Sequence, residues 1–156
     1  MVTPTIYLAL GAPARMPMEA LRGMAVLESF AYVRGTLVDR YRPTWSSLML
    51  DSGAFTEVSQ GVRIDLGEYV EYALQHGSAY DVVVSLDDIR GDLDASRKNF
   101  QTMLDAGLRP MPVFHQGEPW SVLDEWIAAA PQRRIGLGFQ RPIVGGRDWL
   151  DEVFSR

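Results

Sequence analysis

The stretch "YDVVVSLDD", residues 80–88, decides how this chain is read. Three consecutive valines and a leucine make an apolar block of strand type, and two adjacent carboxylates close it. Working outward, the same pattern recurs. Upstream lie "TIYLAL" (5–10), "AVLESFAYV" (25–33) and "SLMLD" (47–51), and downstream "RPMPVFH" (109–115) and "RRIGLGF" (133–139). Helical patterns fill the gaps between the later blocks. Asp65 and Glu68 have the spacing of a capping box, and Leu66, Tyr69, Val70, Ala73 and Leu74 then fall on one face, with His76-Gly77 as the stop. A second helix is expected from Asp94, with Phe100, Met103 and Leu104 inward and Gly107 as a left-handed cap. A third has Pro119 in its first turn and buries Trp120, Leu123, Trp126 and Ile127. "RDWLDEVF" (147–154) reads as one more amphipathic helix.

Alternation of this kind predicts parallel strands joined by right-handed crossovers, and continuous apolar blocks predict strands covered on both faces. The last three blocks start roughly 25 to 30 residues apart, the unit size of an eight-unit βα barrel. A complete barrel takes about 250 residues. The 156 residues here hold about six units in one domain, residues 1–156. The expectation is therefore either an open α/β sheet or an incomplete barrel.

Composition narrows the function. The net charge of −5 argues against a surface coated with cation for polyphosphate, although the basic residues are 14 Arg and one Lys. Arginine suits bidentate contact with phosphate or carboxylate. "RGTLVDRYR" (34–42) and "QRR" (132–134) are the densest basic clusters, and both read as solvated faces. With no cysteine there is neither a disulfide nor a thiolate metal site, and two histidines leave little for zinc. No apolar run of about 20 residues occurs, and "MVTPTIYLAL" lacks a basic lead segment. Neither a membrane span nor a secretory signal is expected, and the cytoplasm is the expected location.

Chemistry-bearing side chains gather where strands should end. Asp51, the pair Asp87 and Asp88, the pair His115 and Gln116, and the "GLG" of 136–138 each close an apolar block. Parallel α/β folds gather ligands at those ends. Each residue taken alone is also an ordinary turn or cap residue. "GLGFQR" lacks the third glycine of a dinucleotide fingerprint, and Ser52 in "DSGAF" does not sit in a nucleophile elbow. His76 reads as a helix-end residue, which leaves His115 as the candidate. Asp51, Asp87, Asp88 and His115 also have the donor chemistry for a divalent ion, as in a barrel hydrolase or lyase.

"LDSGAF", "SLDD", "PVFHQGE" and "IGLG", in that order between about residues 45 and 140, resemble the tRNA-guanine transglycosylase superfamily, which includes queuine tRNA-ribosyltransferases. The closest likeness is to its shorter relatives in phages and DNA-modification clusters, which exchange a base for a 7-deazaguanine. "DSGAF" is similar to the family's D-S-G-G-F/Y signature and is the most specific match. The resemblance implies a TIM-barrel-like fold, here an incomplete barrel of about six units. It implies a base-exchange activity on DNA, ahead of transfer RNA, with guanine or a 7-deazaguanine base as the small ligand and no cofactor.

By the same resemblance Asp51 would transfer protons, Ser52 would order that end of the pocket, Gly53 would let the backbone turn, and Phe55 would stack on the base. Asp87 would read the base, a carboxylate being able to accept from both a ring N–H and an exocyclic amine. Asp88 stands where the family often has glutamate. His115 or Gln116 would meet the base carbonyl, and Gly136 and Leu137 would offer backbone groups. The family's second aspartate, the nucleophile that holds the sugar, has no counterpart at a strand end, since Asp148 and Asp151 lie in the "RDWLDEVF" helix. Its zinc site of cysteines and a histidine is also missing. Missing barrel strands imply completion by a second copy or a partner chain; without catalysis, the same half-barrel would be a base or nucleic-acid binder.

Overall fold

The computed structural model describes residues 5–10, 18–33, 40–138 and 145–156. Part of the basic cluster at 34–42, residues 34–39, and Phe139 of the last block lie outside them. Among the described residues six strands are present: β1 (Tyr7–Ala9), β2 (Ala25–Ser29), β3 (Ser47–Asp51), β4 (Val82–Val83), β5 (Val113–His115) and β6 (Gly136–Gly138). The helices are α1 (Ala54–Gln60), α2 (Leu66–His76), α3 (Leu93–Asp105), α4 (Trp120–Ala129) and α5 (Gly146–Ser155). Among the described residues no helix is long and apolar enough to cross a membrane.

The protein is of the α/β class, and every strand pair is parallel. The order is β1-β2-β3-β4 in one sheet and β5-β6 in a second. A parallel bridge between Val84 and Met111 joins the two, with Ser85 N donating to Met111 O (2.8 Å) and Met111 N to Val83 O (2.8 Å). Pro110 and Pro112, both fully buried, flank the bridge and have no N–H to lengthen it. That is why "YDVVVSLDD" and "RPMPVFH" yield strands shorter than their apolar blocks.

Strand alternation assigns the faces. On β3, Leu48 and Leu50 are fully buried, whereas Ser47, Met49 and Asp51 on the other face are half-buried. Leu48 and Leu50 join Val26, Val83, Tyr69 and Ala73 in a core between the sheet and α2. A second core packs Phe114 of β5 against Phe100 of α3, Val122 and Trp126 of α4 and Trp149 of α5. The expectation that both faces of each strand would be covered holds for β2 and β4, whose residues are buried on both faces, whereas the face of β3 away from α2 stays partly open.

Helix ends follow side-chain chemistry. The Asp65 carboxylate accepts from Glu68 N (3.0 Å) and starts α2. Asp92, two residues before the expected start, caps α3 by accepting from Ala95 N (2.9 Å). Leu74 and Ile127, read as inward, are 53% exposed at the edges of their apolar stripes. One buried acid sits on the helical face: Glu28 of β2 accepts from the Tyr80 hydroxyl (2.9 Å), and Tyr80 is bonded to Tyr72 (3.0 Å). Burial pushes the Glu28 carboxyl above its usual range, against the Tyr80 hydrogen bond and the field of His76.

Candidate functional site

The half-open face ends in a cleft of about 490 Å3 at the C-terminal ends of β3 to β6. Asp51, Val113, His115 and Gly138 reach it from the strands, Val84, Asp87, Ile89 and Arg90 from the segment after β4, and Ser52, Ala54, Phe55 and Val58 from the turn into α1 and that helix itself. One floor thus carries two carboxylates and an imidazole, and one wall is apolar. Phe55 and Val58 are exposed where α1 overhangs.

Asp51 is the last residue of β3, opposite Ser29 of β2 in the ladder. Its Oδ2 accepts from Gly53 N (3.0 Å), closing a tight turn in which Gly53 has φ +88°. Glycine is required here twice over. That φ is strained for any side chain, and a Cβ would lie 3.1 Å from both the Cβ and the N of Ala31. Ser52 is buried beneath the cleft and accepts weakly from Ala54 N (3.4 Å) at the start of α1. Burial raises the Asp51 carboxyl above its ordinary range; the Gly53 N–H and the Ser29 hydroxyl pull it back, and the nearby Asp87 charge adds to the rise.

His115, the last residue of β5, is held by two acids. Its Nε2 lies 3.0 Å from Asp87 Oδ2 and its Nδ1 3.4 Å from Glu118 Oε1. Glu118 also accepts from His115 N (3.0 Å) through its other oxygen. Burial disfavours the imidazolium, but the hydrogen bonds and charges of Asp87 and Glu118 outweigh it and push the pKa up to about 9. His115 is therefore charged at neutral pH, with both N–H groups engaged. It is a clamp on Asp87 rather than a base.

Gly138 completes the clamp from β6, whose residues pair with β5 as His115 with Gly138 and Phe114 with Leu137. A Cβ at Gly138 would lie 2.3 Å from His115 Cδ2 and 2.6 Å from Nε2, so only glycine leaves the ring its place. Beneath the floor the buried Tyr69 hydroxyl donates to Val84 O (2.6 Å). Burial and the fields of Asp51 and Asp87 keep that phenol protonated well past its usual range.

The residues expected from the sequence divide as follows. Asp51, Ser52, Phe55, Asp87 and His115 line one cleft. Asp88 is turned away: its Oδ1 accepts from Arg90 N (2.8 Å), and its own N donates to Ser96 Oγ (2.8 Å) in α3. Gln116 lies in the turn after β5, where its N donates to Gly138 O (2.9 Å), and its side chain does not line the cleft. Gly136 sits one row below, against Val113. Leu137 faces the helices and packs into the second core, since neighbouring strand residues point to opposite faces.

Glu118, Ile89 and Arg90 take part without having been singled out, and Gly138 does so as part of the "GLG" expected to close its strand. For Glu118 the available signal was "HQGE", a glycine turn three residues long that folds a carboxylate back onto the histidine; Gly117 has φ +98° and Glu118 N donates to His115 O (3.1 Å). Among the described residues no group of three or more His, Asp or Glu side chains is arranged to hold a metal ion. The divalent-ion reading finds no ligand set there, with Asp88 facing its own turn. Comparison with protein-family models, with curated proteins and with solved structures returns no match to this chain.

Proposed function

We propose that the cleft binds a guanine-type base, guanine or a 7-deazaguanine, and that the protein acts as a base-exchange transglycosylase on nucleic acid, DNA ahead of transfer RNA. One observation carries this reading: the Asp51 and Asp87 carboxyls share a floor beneath an apolar wall that includes the Phe55 ring. The volume, about 490 Å3, is in the range of small-ligand sites. Asp87 gives one oxygen to His115 and keeps the other for a ligand. A guanine edge presents a ring N–H and an exocyclic amine, both donors, so an acceptor-only group suits it. Asp51, with its pKa raised by burial, is the group suited to move a proton to or from the departing base.

An incomplete TIM-type barrel is the architecture that suits this chemistry. Sequential order from β1 to β4 and on through the Val84–Met111 bridge to β5 and β6 supports it, because a doubly wound sheet would reverse direction. The cleft at the C-terminal strand ends supports it as well. Exchange also needs a carboxylate that holds the sugar. Asp148 and Asp151 of α5 are exposed and do not line the cleft, so in this reading the nucleophile comes from outside the described residues, with a second copy or a partner chain as one source. Exposed Ile6 and Leu8 beside the β1 edge agree with such an association.

The half-barrel acting alone as a binder of bases is the second reading, favoured by the absence of a third carboxylate from the described lining of the cleft. Both readings are tested by incubating the protein with labelled guanine or 7-deazaguanine and duplex DNA or transfer RNA, alongside calorimetric binding of guanosine. Exchange abolished by Asp51→Asn supports the enzyme, and binding without exchange supports the second reading. No binding of any guanine-type ligand refutes both.

A further inference from the structure

The loop after β4 brings Asp87 to the floor of the cleft and, three residues later, Arg90 to its lining. Arg90 is the one arginine or lysine among the described residues that line the cleft. Its guanidinium contributes little to the fold. The side chain is 64% exposed, and its nearest carboxylate, Glu57 Oε1, is 3.9 Å away, too long and too wet to stabilise much. The other oxygen of Glu57, Oε2, accepts from Ile64 N (3.0 Å).

The backbone beneath Arg90 is nonetheless pinned. Arg90 N donates to Asp88 Oδ1 (2.8 Å) and Gly91 N to Asp88 O (3.1 Å), with Gly91 at φ +100°. Asp88 is tied to α3 in turn through Ser96 Oγ, which donates to Asp92 O (3.1 Å). A fixed turn thus presents a weakly paired, bidentate cation at the mouth of a cleft whose floor is acidic. A ligand that placed only neutral groups there would leave that charge unused.

We propose that Arg90 binds the phosphate of a nucleotide whose base occupies the cleft, so that the site recognises the phosphate of a guanine-type nucleotide as well as its base. This rests on the base-binding reading above and adds the group that the base is attached to. Three residues of chain span at most about 10 Å, the length scale of a nucleoside monophosphate, so one loop can address both ends of the ligand. Guanidinium is suited to the phosphate end, because its planar fork matches two oxygens at once. Asp88 is then a positioning residue for Arg90.

Calorimetry with guanosine, guanosine 5′-monophosphate and guanosine 3′-monophosphate on the wild type, Arg90→Ala and Arg90→Lys tests this. One of the two phosphates should tighten wild-type binding about tenfold over guanosine, the size of one charge-assisted contact. The advantage should shrink as salt rises. On Arg90→Ala the nucleotide and the nucleoside should bind alike, and Arg90→Lys should restore part of the preference. Guanosine bound as tightly as both nucleotides by the wild type, or a preference that survives Arg90→Ala, overturns the phosphate contact and leaves base binding standing. Failure of all three ligands to bind the folded wild type overturns both.

Discussion

The charge on His115 can be read out through stability. Its pKa rises from 6.5 to about 9 on folding, which at roughly 1.4 kcal/mol for each pH unit corresponds to about 3 kcal/mol. The folded state holds this proton more tightly than the unfolded chain does. The stabilisation is therefore complete below pH 6.5 and is lost as pH rises through about 9. Few other groups should blur that window. The raised carboxyls of Asp51 and Glu28 begin to lose their contribution from their unfolded values of 3.8 and 4.5 upward, and Tyr69 and Tyr80, both raised, act only above about pH 10. Urea denaturation at intervals between pH 6 and 9.5 should show unfolding free energy falling by about 3 kcal/mol. His115→Gln should be less stable at pH 6 and nearly flat across the same range. Because the chain has only two histidines, a His76→Gln variant leaves a single imidazole signal for a direct NMR titration. A His115 signal that titrates at or below 6.5, or a stability profile with no decline above pH 7, would refute the double-carboxylate clamp.

Gly138→Ala should force the His115 ring off Asp87, lower the NMR-observed pKa towards 6.5 and cost about 1–3 kcal/mol in urea denaturation. Tyr69→Phe leaves the buried Val84 carbonyl without its hydroxyl donor and should cost roughly 1–3 kcal/mol, seen as a lower thermal midpoint with the cleft otherwise intact. Asp51→Asn should abolish base exchange while the protein remains folded, as followed by circular dichroism beside the exchange assay.

Much of the fold was legible because local chemistry and tertiary structure agree. "SLMLD" is β3 residue for residue, and Asp65 caps α2 as its spacing to Glu68 predicts. Disagreement arises where the deciding partner is remote in sequence. The run "AFTEVSQ" becomes α1, fewer than two full turns, too short for a helical period to show. Asp92 and Asp94 are equally good caps on paper, and the anchoring of Ser96 on Asp92 O, with Asp88 N held by the same hydroxyl, fits the earlier start. Asp87 and Asp88 are indistinguishable as letters; the histidine of another strand engages the first, and the turn at Arg90 takes the second. Gly138 gains its role from the imidazole of the neighbouring strand, which no spacing along the chain reveals.

The alternation along β3 has a bearing on how the sheet assembles. Sliding that strand by a single position would drive Asp51 into the aliphatic layer beneath α2 and lift Leu50 towards water, and an unpaired carboxylate in such a layer is costly enough to empty the slipped state. The acid at the cleft therefore also acts as a proofreading mark for strand alignment, and a molecule whose cleft is correctly formed has already threaded its sheet in the right frame.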